Sequence, residues 1–243
     1  DRRLKIAVRG KSQFFHILSA RQFAPGSGAP VLGGSDRPAL EDAFAHLGEP
    51  PFAETGLRHY SAETNEVAPR SALTLLKLEG ASGIVREIEL EADGSADFFH
   101  QTRIRLRWDG HPRWDVVAPT GIFFGSPNGP NEMRSLPLRV EPLADGRARL
   151  RCFFPMAFWE RAEIQWINPS PMGFGPVRAR VSVGSNPIVR ADGTYFTALY
   201  HEGETIYGHD WLLYEGIGSG WLAGVVQSMR NEHYCEGDEH FTL

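Results

Sequence analysis

Alternation of apolar and polar residues with a period of two is the feature that most restricts what this chain can fold into. The runs Arg103-Ile104-Arg105-Leu106-Arg107-Trp108, Arg149-Leu150-Arg151-Cys152-Phe153 and Val177-Arg178-Ala179-Arg180-Val181-Ser182-Val183 each give a strand one wet face and one buried face. Asp93-Gly94, Asp109-Gly110, Asp145-Gly146 and Asp192-Gly193 tolerate the positive φ of tight hairpin turns, and most sit between such runs. Many short strands punctuated in this way predict an all-β sandwich. The 243 residues are enough for one large β domain, or for one domain and part of another.

One segment departs from the pattern. Ser35 or Asp36 can cap a helix, Pro38 suits its first turn, and Leu40, Ala43, Phe44 and Leu47 share a face before Gly48 stops it. It reads as a short connecting helix. Residues 49–69, rich in Pro and Glu, show no clear period, and strand signals resume at Leu73, which sets an expected boundary near residue 66. Candidate strands at 4–8 and 14–20 cannot form a domain alone. Residues 1–66 therefore read as the closing strands of one sheet domain plus a helical linker, and 67–243 as a second β domain expected to be cut off before its end.

Composition excludes several classes of function. With 42% hydrophobic and 23% charged residues this is an ordinary globular composition, and apolar runs such as 221–226 fall short of the roughly 20 residues that span a bilayer. The net charge is -5, and the arginines are interleaved with acidic residues, so no stripe suited to nucleic acid emerges. Cys152 and Cys235 lack zinc-site spacing and read as small core residues. The first residues, Asp1-Arg2-Arg3-Leu4, contain no apolar signal core, which leaves the compartment unknown.

The chemistry-bearing candidates are few. No Walker loop, H-E-x-x-H, G-x-S-x-G or EF-hand loop is present, so no cofactor is expected, and Gly216, Gly218 and Gly220 suit a glycine-rich hairpin rather than a dinucleotide loop. The nine histidines are dispersed; only His233 and His240 flank acidic residues, and they read as structural or surface groups rather than metal ligands. Aromatic pairs at Phe123-Phe124, Phe153-Phe154, Phe158-Trp159 and Tyr195-Phe196 belong mostly to the core, with Phe124 and Trp159 as candidate sugar-stacking surfaces. In Tyr234-Cys235-Glu236-Gly237-Asp238-Glu239-His240-Phe241 the crowding of three carboxylates raises at least one pKa, as a general acid requires. A solvated acidic turn is the plainer reading of the same residues.

Four ordered blocks resemble the domain-of-unknown-function family 2961, whose characterised members form glycoside hydrolase family 172. They are Ile104-Arg105-Leu106-Arg107-Trp108-Asp109-Gly110 with Val116-Val117-Ala118-Pro119 and Phe123-Phe124-Gly125; Phe153-Phe154-Pro155-Met156-Ala157-Phe158; Gly220-Trp221-Leu222-Ala223-Gly224-Val225-Val226; and Glu236-Gly237-Asp238-Glu239-His240-Phe241. Ala157 replaces a usual proline, and Ile122 stands where an aspartate is common. The resemblance covers roughly residues 70–243, and residues 1–34 resemble the closing strands of the family's first jelly roll.

It implies tandem jelly rolls in trimers or multiples, and retaining hydrolysis of fructofuranosyl or arabinofuranosyl linkages in an oligo- or polysaccharide. Glu236 is then one catalytic carboxylate, and Asp238, Glu239, Tyr234, Phe124 and Trp159 are substrate-binding residues. The family's second carboxylate belongs to a Gly-Thr-Gly-Thr-Glu-Asp-like motif, which this chain is expected to lack because it stops at Leu243. A non-catalytic carbohydrate-binding or oligomer-forming jelly roll is the alternative reading.

Overall fold

Alternation produces the strands where the sequence is most regular. The computed structural model describes residues 37–52, 55–206 and 208–229. Two compact units divide the chain, Asp1–Leu40 and Glu41–Leu243. Helix α1 (Arg37–Ala45) is followed by a turn that ends at Gly48, whose φ of 77° is the left-handed stop expected there. Its expected caps, Ser35 and Asp36, lie outside the described residues, as do the strands expected at 4–8 and 14–20.

The second unit is an all-β sandwich of the jelly-roll kind. In chain order its elements are β1 (Arg58–Thr64), β2 (Ser71–Glu79), β3 (Gly83–Asp93), α2 (Ala96–Gln101), β4 (Arg103–Trp108), β5 (Val116–Pro119) and α3 (Thr120–Phe123). There follow β6 (Met133–Arg134), β7 (Leu138–Pro142), β8 (Arg147–Cys152), β9 (Met156–Phe158), β10 (Arg161–Asn168) and β11 (Val177–Gly184). One sheet runs β1-β11-β3-β8-β7-β6, with β9 also paired to β3, and the other runs β2-β10-β4-β5. All named strand pairs are antiparallel. Strand β1 precedes the boundary expected near residue 66, yet it pairs with β11 along its whole length.

The core lies between the sheets. Ile104, Leu106 and Trp108 of β4 face inward beside Ala162, Ile164 and Trp166 of β10, and Val177, Val181 and Val183 of β11 close the opposite wall. Trp166 stacks on Phe98 of α2 at 5.2 Å, and its indole N–H donates to the Thr120 hydroxyl at 3.1 Å. Thr120 in turn bonds Thr102 at 2.6 Å, so the buried polar atoms are satisfied and the rings can contribute their full burial, about 1.5–3 kcal/mol each.

The turn readings hold unevenly. Asp145-Gly146 closes the β7–β8 hairpin, and Asp109 and Gly110 both adopt positive φ after β4. Asp93-Gly94 instead leads from β3 into α2, and Asp192-Gly193 ends a 3-10 turn at Arg190–Asp192. Ser95 explains the first case: its hydroxyl accepts from the Phe98 N–H and starts a helix. The glycine-rich hairpin expected around 216–220 is also corrected. Residues 208–229 form no strand, and Ile217 and Trp221 are almost wholly exposed, so among the described residues no partner strand holds a hairpin there.

Candidate functional site

Of the residues expected to act on a sugar, Glu236, Asp238, Glu239 and Tyr234 lie outside the described residues. Phe124 is placed in the core, fully buried with its ring edge-on to Phe123 at 5.0 Å, so it offers no surface for stacking. The neighbouring Gly125 turns the chain with φ 78° and packs so close to Met133 that a Cβ would stand 2.7 Å from its terminal methyl. That corner is a packing device. Trp159, by contrast, is half-buried on the surface between β9 and β10.

Trp159 belongs to a corner organised by Asp109. The left-handed turn after β4, with φ of 46° at Asp109, aims its carboxylate at the start of β10. Oδ1 accepts the backbone N–H groups of Trp159, Glu160 and Arg161 at 3.0, 2.7 and 2.8 Å, and Oδ2 accepts the Tyr195 hydroxyl at 2.7 Å. The Arg190 guanidinium stands 3.7 Å away and also pairs with Glu160 at 2.6 Å. Burial works to raise the Asp109 pKa, but the N–H of Arg161, the Tyr195 hydroxyl and the N–H groups of Glu160 and Trp159 outweigh it and hold the group below its ordinary value. Tyr195 moves the other way, raised by its own burial and then by its bond to Asp109. Asp109 is thus a carboxylate with its acceptor capacity filled, which makes it a clamp rather than an acid or nucleophile.

Around the clamp lies an aromatic rim. Tyr195 meets Trp159 edge-on at 5.1 Å and His111 at 4.6 Å. His111 Nδ1 is 2.8 Å from Asp115 Oδ1, and Asp115 Oδ2 accepts the Trp108 N–H at 2.9 Å. The Trp159 indole donates to the Ile188 carbonyl at 2.9 Å. Sequence reasoning missed Asp109, His111 and Tyr195. The Trp-Asp-Gly block was quoted as a turn, although an Asx side chain in a turn commonly captures nearby N–H groups.

A second juxtaposition is not catalytic. His59 Nδ1 lies 3.0 Å from Ser182 Oγ, and Glu87 Oε2 is 3.4 Å from the same hydroxyl, but Ser182 is fully buried and cannot meet a substrate. Cys152 is likewise buried, its thiol pushed up to about 12 by desolvation, and is unreactive. Among the described residues no cluster of His, Cys, Asp or Glu is arranged to hold a metal ion, and no helix is long and apolar enough to cross a membrane.

Residues 58–174, from β1 to the loop before β11, match the family model described as GH172 domain-like. No curated protein matches the chain. The matched region contains the first two of the four blocks quoted from the sequence, and in the fold these are the Asp109 clamp, the Phe123-Phe124-Gly125 corner and the β8–β9 crossover.

Proposed function

On the premise of a GH172-like domain, we propose that the protein hydrolyses fructofuranosyl or arabinofuranosyl linkages with retention of configuration. The match over the sandwich carries this reading. Glu236 is the acid/base residue, and Asp238 and Glu239, its near neighbours in sequence, tune it or hold sugar hydroxyls. Tyr234 and the Trp159 rim provide surfaces for the apolar faces of the sugar. A retaining cycle needs a second carboxyl group about 5 Å from Glu236 to attack the anomeric carbon, and in the resemblance this comes from the Gly-Thr-Gly-Thr-Glu-Asp-like motif. The assembly is a homotrimer or a multiple of one, and residues 1–34 close a preceding jelly roll.

Hydrolysis of an aryl furanoside and of a natural furanosyl disaccharide, followed by NMR of the first-formed anomer, tests the chemistry. Glu236→Gln should lower kcat on the natural substrate by about 10²–10⁴-fold and affect the aryl substrate less, because its leaving group needs little protonation. Equal wild-type and variant rates on both substrates would remove Glu236 from the mechanism. The alternative of a non-catalytic carbohydrate-binding jelly roll is supported by the rim at Trp159 and Tyr195, whose central carboxylate is fully engaged. Saturable binding of furanosides without release of any sugar would favour it.

A further inference from the structure

The outer face of the β2-β10-β4-β5 sheet carries a second arrangement, which meets the Asp109 turn at Gly110 and Arg161. Because Ile104, Leu106 and Trp108 point inward, Arg103, Arg105 and Arg107 project outward from β4 in a row, about 6.5–7 Å apart along the strand. The register with β10 sets Gln165 beside Arg105 and Glu163 beside Arg107. Gln165 Oε1 accepts from Arg105 Nε at 2.9 Å, Arg107 Nε donates to Glu163 Oε2 at 3.2 Å, and Gln165 Nε2 donates to Glu163 Oε1 at 2.8 Å. The four side chains form one hydrogen-bonded lattice, so a ligand does not have to order them.

Trp114, from the β4–β5 loop, lies against this lattice. The Arg105 and Arg107 guanidinium carbons are 4.2 and 4.6 Å from its ring centroid. The indole is half-buried. Arg107 and Glu163 also line a recess of about 130 Å³ with Lys77, Glu79 and Arg161. That is well below the roughly 300–1,000 Å³ of a site that encloses a whole ligand, but it admits a single carboxylate. The Arg161 side chain is exposed at its edge and makes no ion pair among the described residues.

We propose that this face binds an acidic polysaccharide, a uronate chain. The sugar ring lies against Trp114, its hydroxyl groups reach Glu163 and Gln165, and its carboxylate enters the recess toward Arg161 and Lys77. Lys77 pairs with Glu79 at 3.7 Å and Arg107 with Glu163, so Arg105 and Arg161 remain as a local positive excess, although the whole chain carries a net charge of -5. That local excess is what selects an anion. The interleaved Glu163 and Glu79 accept hydroxyl groups but oppose a continuous phosphate backbone, which separates a uronate chain from a nucleic acid.

Titration calorimetry of the whole chain with short oligogalacturonates, their carboxyl-reduced counterparts and single-stranded DNA tests the site. Oligogalacturonate should bind in a salt-dependent way, and the carboxyl-reduced sugar and the DNA should bind at least tenfold more weakly. Trp114→Ala and Arg161→Gln, each checked for an unchanged circular dichroism spectrum, should each weaken oligogalacturonate binding about tenfold. Equal binding of the reduced sugar, tighter binding of DNA, no binding of oligogalacturonate, or folded variants with wild-type affinity would overturn the proposal. Comparison of charged and reduced sugar on the wild-type protein decides the question even where a variant does not fold. Turnover of furanosides bears on the hydrolase reading alone, so the two can fail separately.

Discussion

At the scale of single residues, Asp109 is the side chain on which most depends. Removing its carboxylate leaves three backbone N–H groups and the Tyr195 hydroxyl without their acceptor, while Arg190 keeps only Glu160. Asp109→Ala is expected to cost about 3–5 kcal/mol in urea denaturation, the usual penalty for stranding the partners of a buried charge. The pH dependence has a definite sign. Because the folded-state pKa of Asp109 is depressed, its contribution is complete above the ordinary aspartate value near 4 and is lost as pH falls below that toward the folded-state pKa. Wild-type protein should therefore lose stability between about pH 4 and lower pH, and Asp109→Asn should show a flatter profile there when urea midpoints are compared. Gly193 is a second sensitive position: a Cβ there would stand 2.1 Å from the Trp159 ring. Gly193→Ala should displace that ring and lower stability by about 1–3 kcal/mol, visible as a shifted tryptophan emission together with the lower urea midpoint.

Among the elements, β3 shows how charge is distributed across the larger sheet. Glu87, Glu89 and Glu91 point outward and meet arginines of β8 and β11, with Arg151–Glu87 at 2.6 Å and Arg149–Glu91 at 3.1 Å. The Glu87 side chain is 7% exposed, whereas in Arg178–Glu63, at the edge, the side chains are 56% and 60% exposed. Glu87→Ala should cost about 3–5 kcal/mol and Glu63→Ala less than about 1 kcal/mol, measured by chemical denaturation at matched salt. Strands of the two sheets differ in how legible they were. Strands β4, β8 and β11 followed from alternation because each buries one full face. Strand β1 did not, because as an edge strand it buries no residue completely and its sequence Arg58-His59-Tyr60-Ser61-Ala62-Glu63-Thr64 carries little apolar contrast. The corner around Asp109 was legible only as a turn. Its partners come from three separated stretches, and no local pattern links Asp109 to Tyr195, 86 residues away.

For the whole molecule, the fold class was readable because period-two patterning recurs in many separate strands, while the assembly and the sugar depend on surfaces that no periodicity encodes. The proposed trimer should give a mass of three chains in light scattering at micromolar concentration, and a monomer would count against it. The topology carries one more consequence. Among the described residues strand β1 finds its hydrogen-bonding partner only in β11, with His59 and Ser182 separated by 123 residues. During translation at about 5–20 residues per second, β1 must wait on the order of ten seconds before β11 leaves the ribosome. Until then its edge stays open to pairing with other nascent chains, and its charged side chains protect it meanwhile. Ribosome-stalled chains ending shortly after β10 should remain protease-sensitive, and those with β11 clear of the exit tunnel should become resistant. Resistance already present before β11 emerges would mean that the larger sheet does not wait for its last strand.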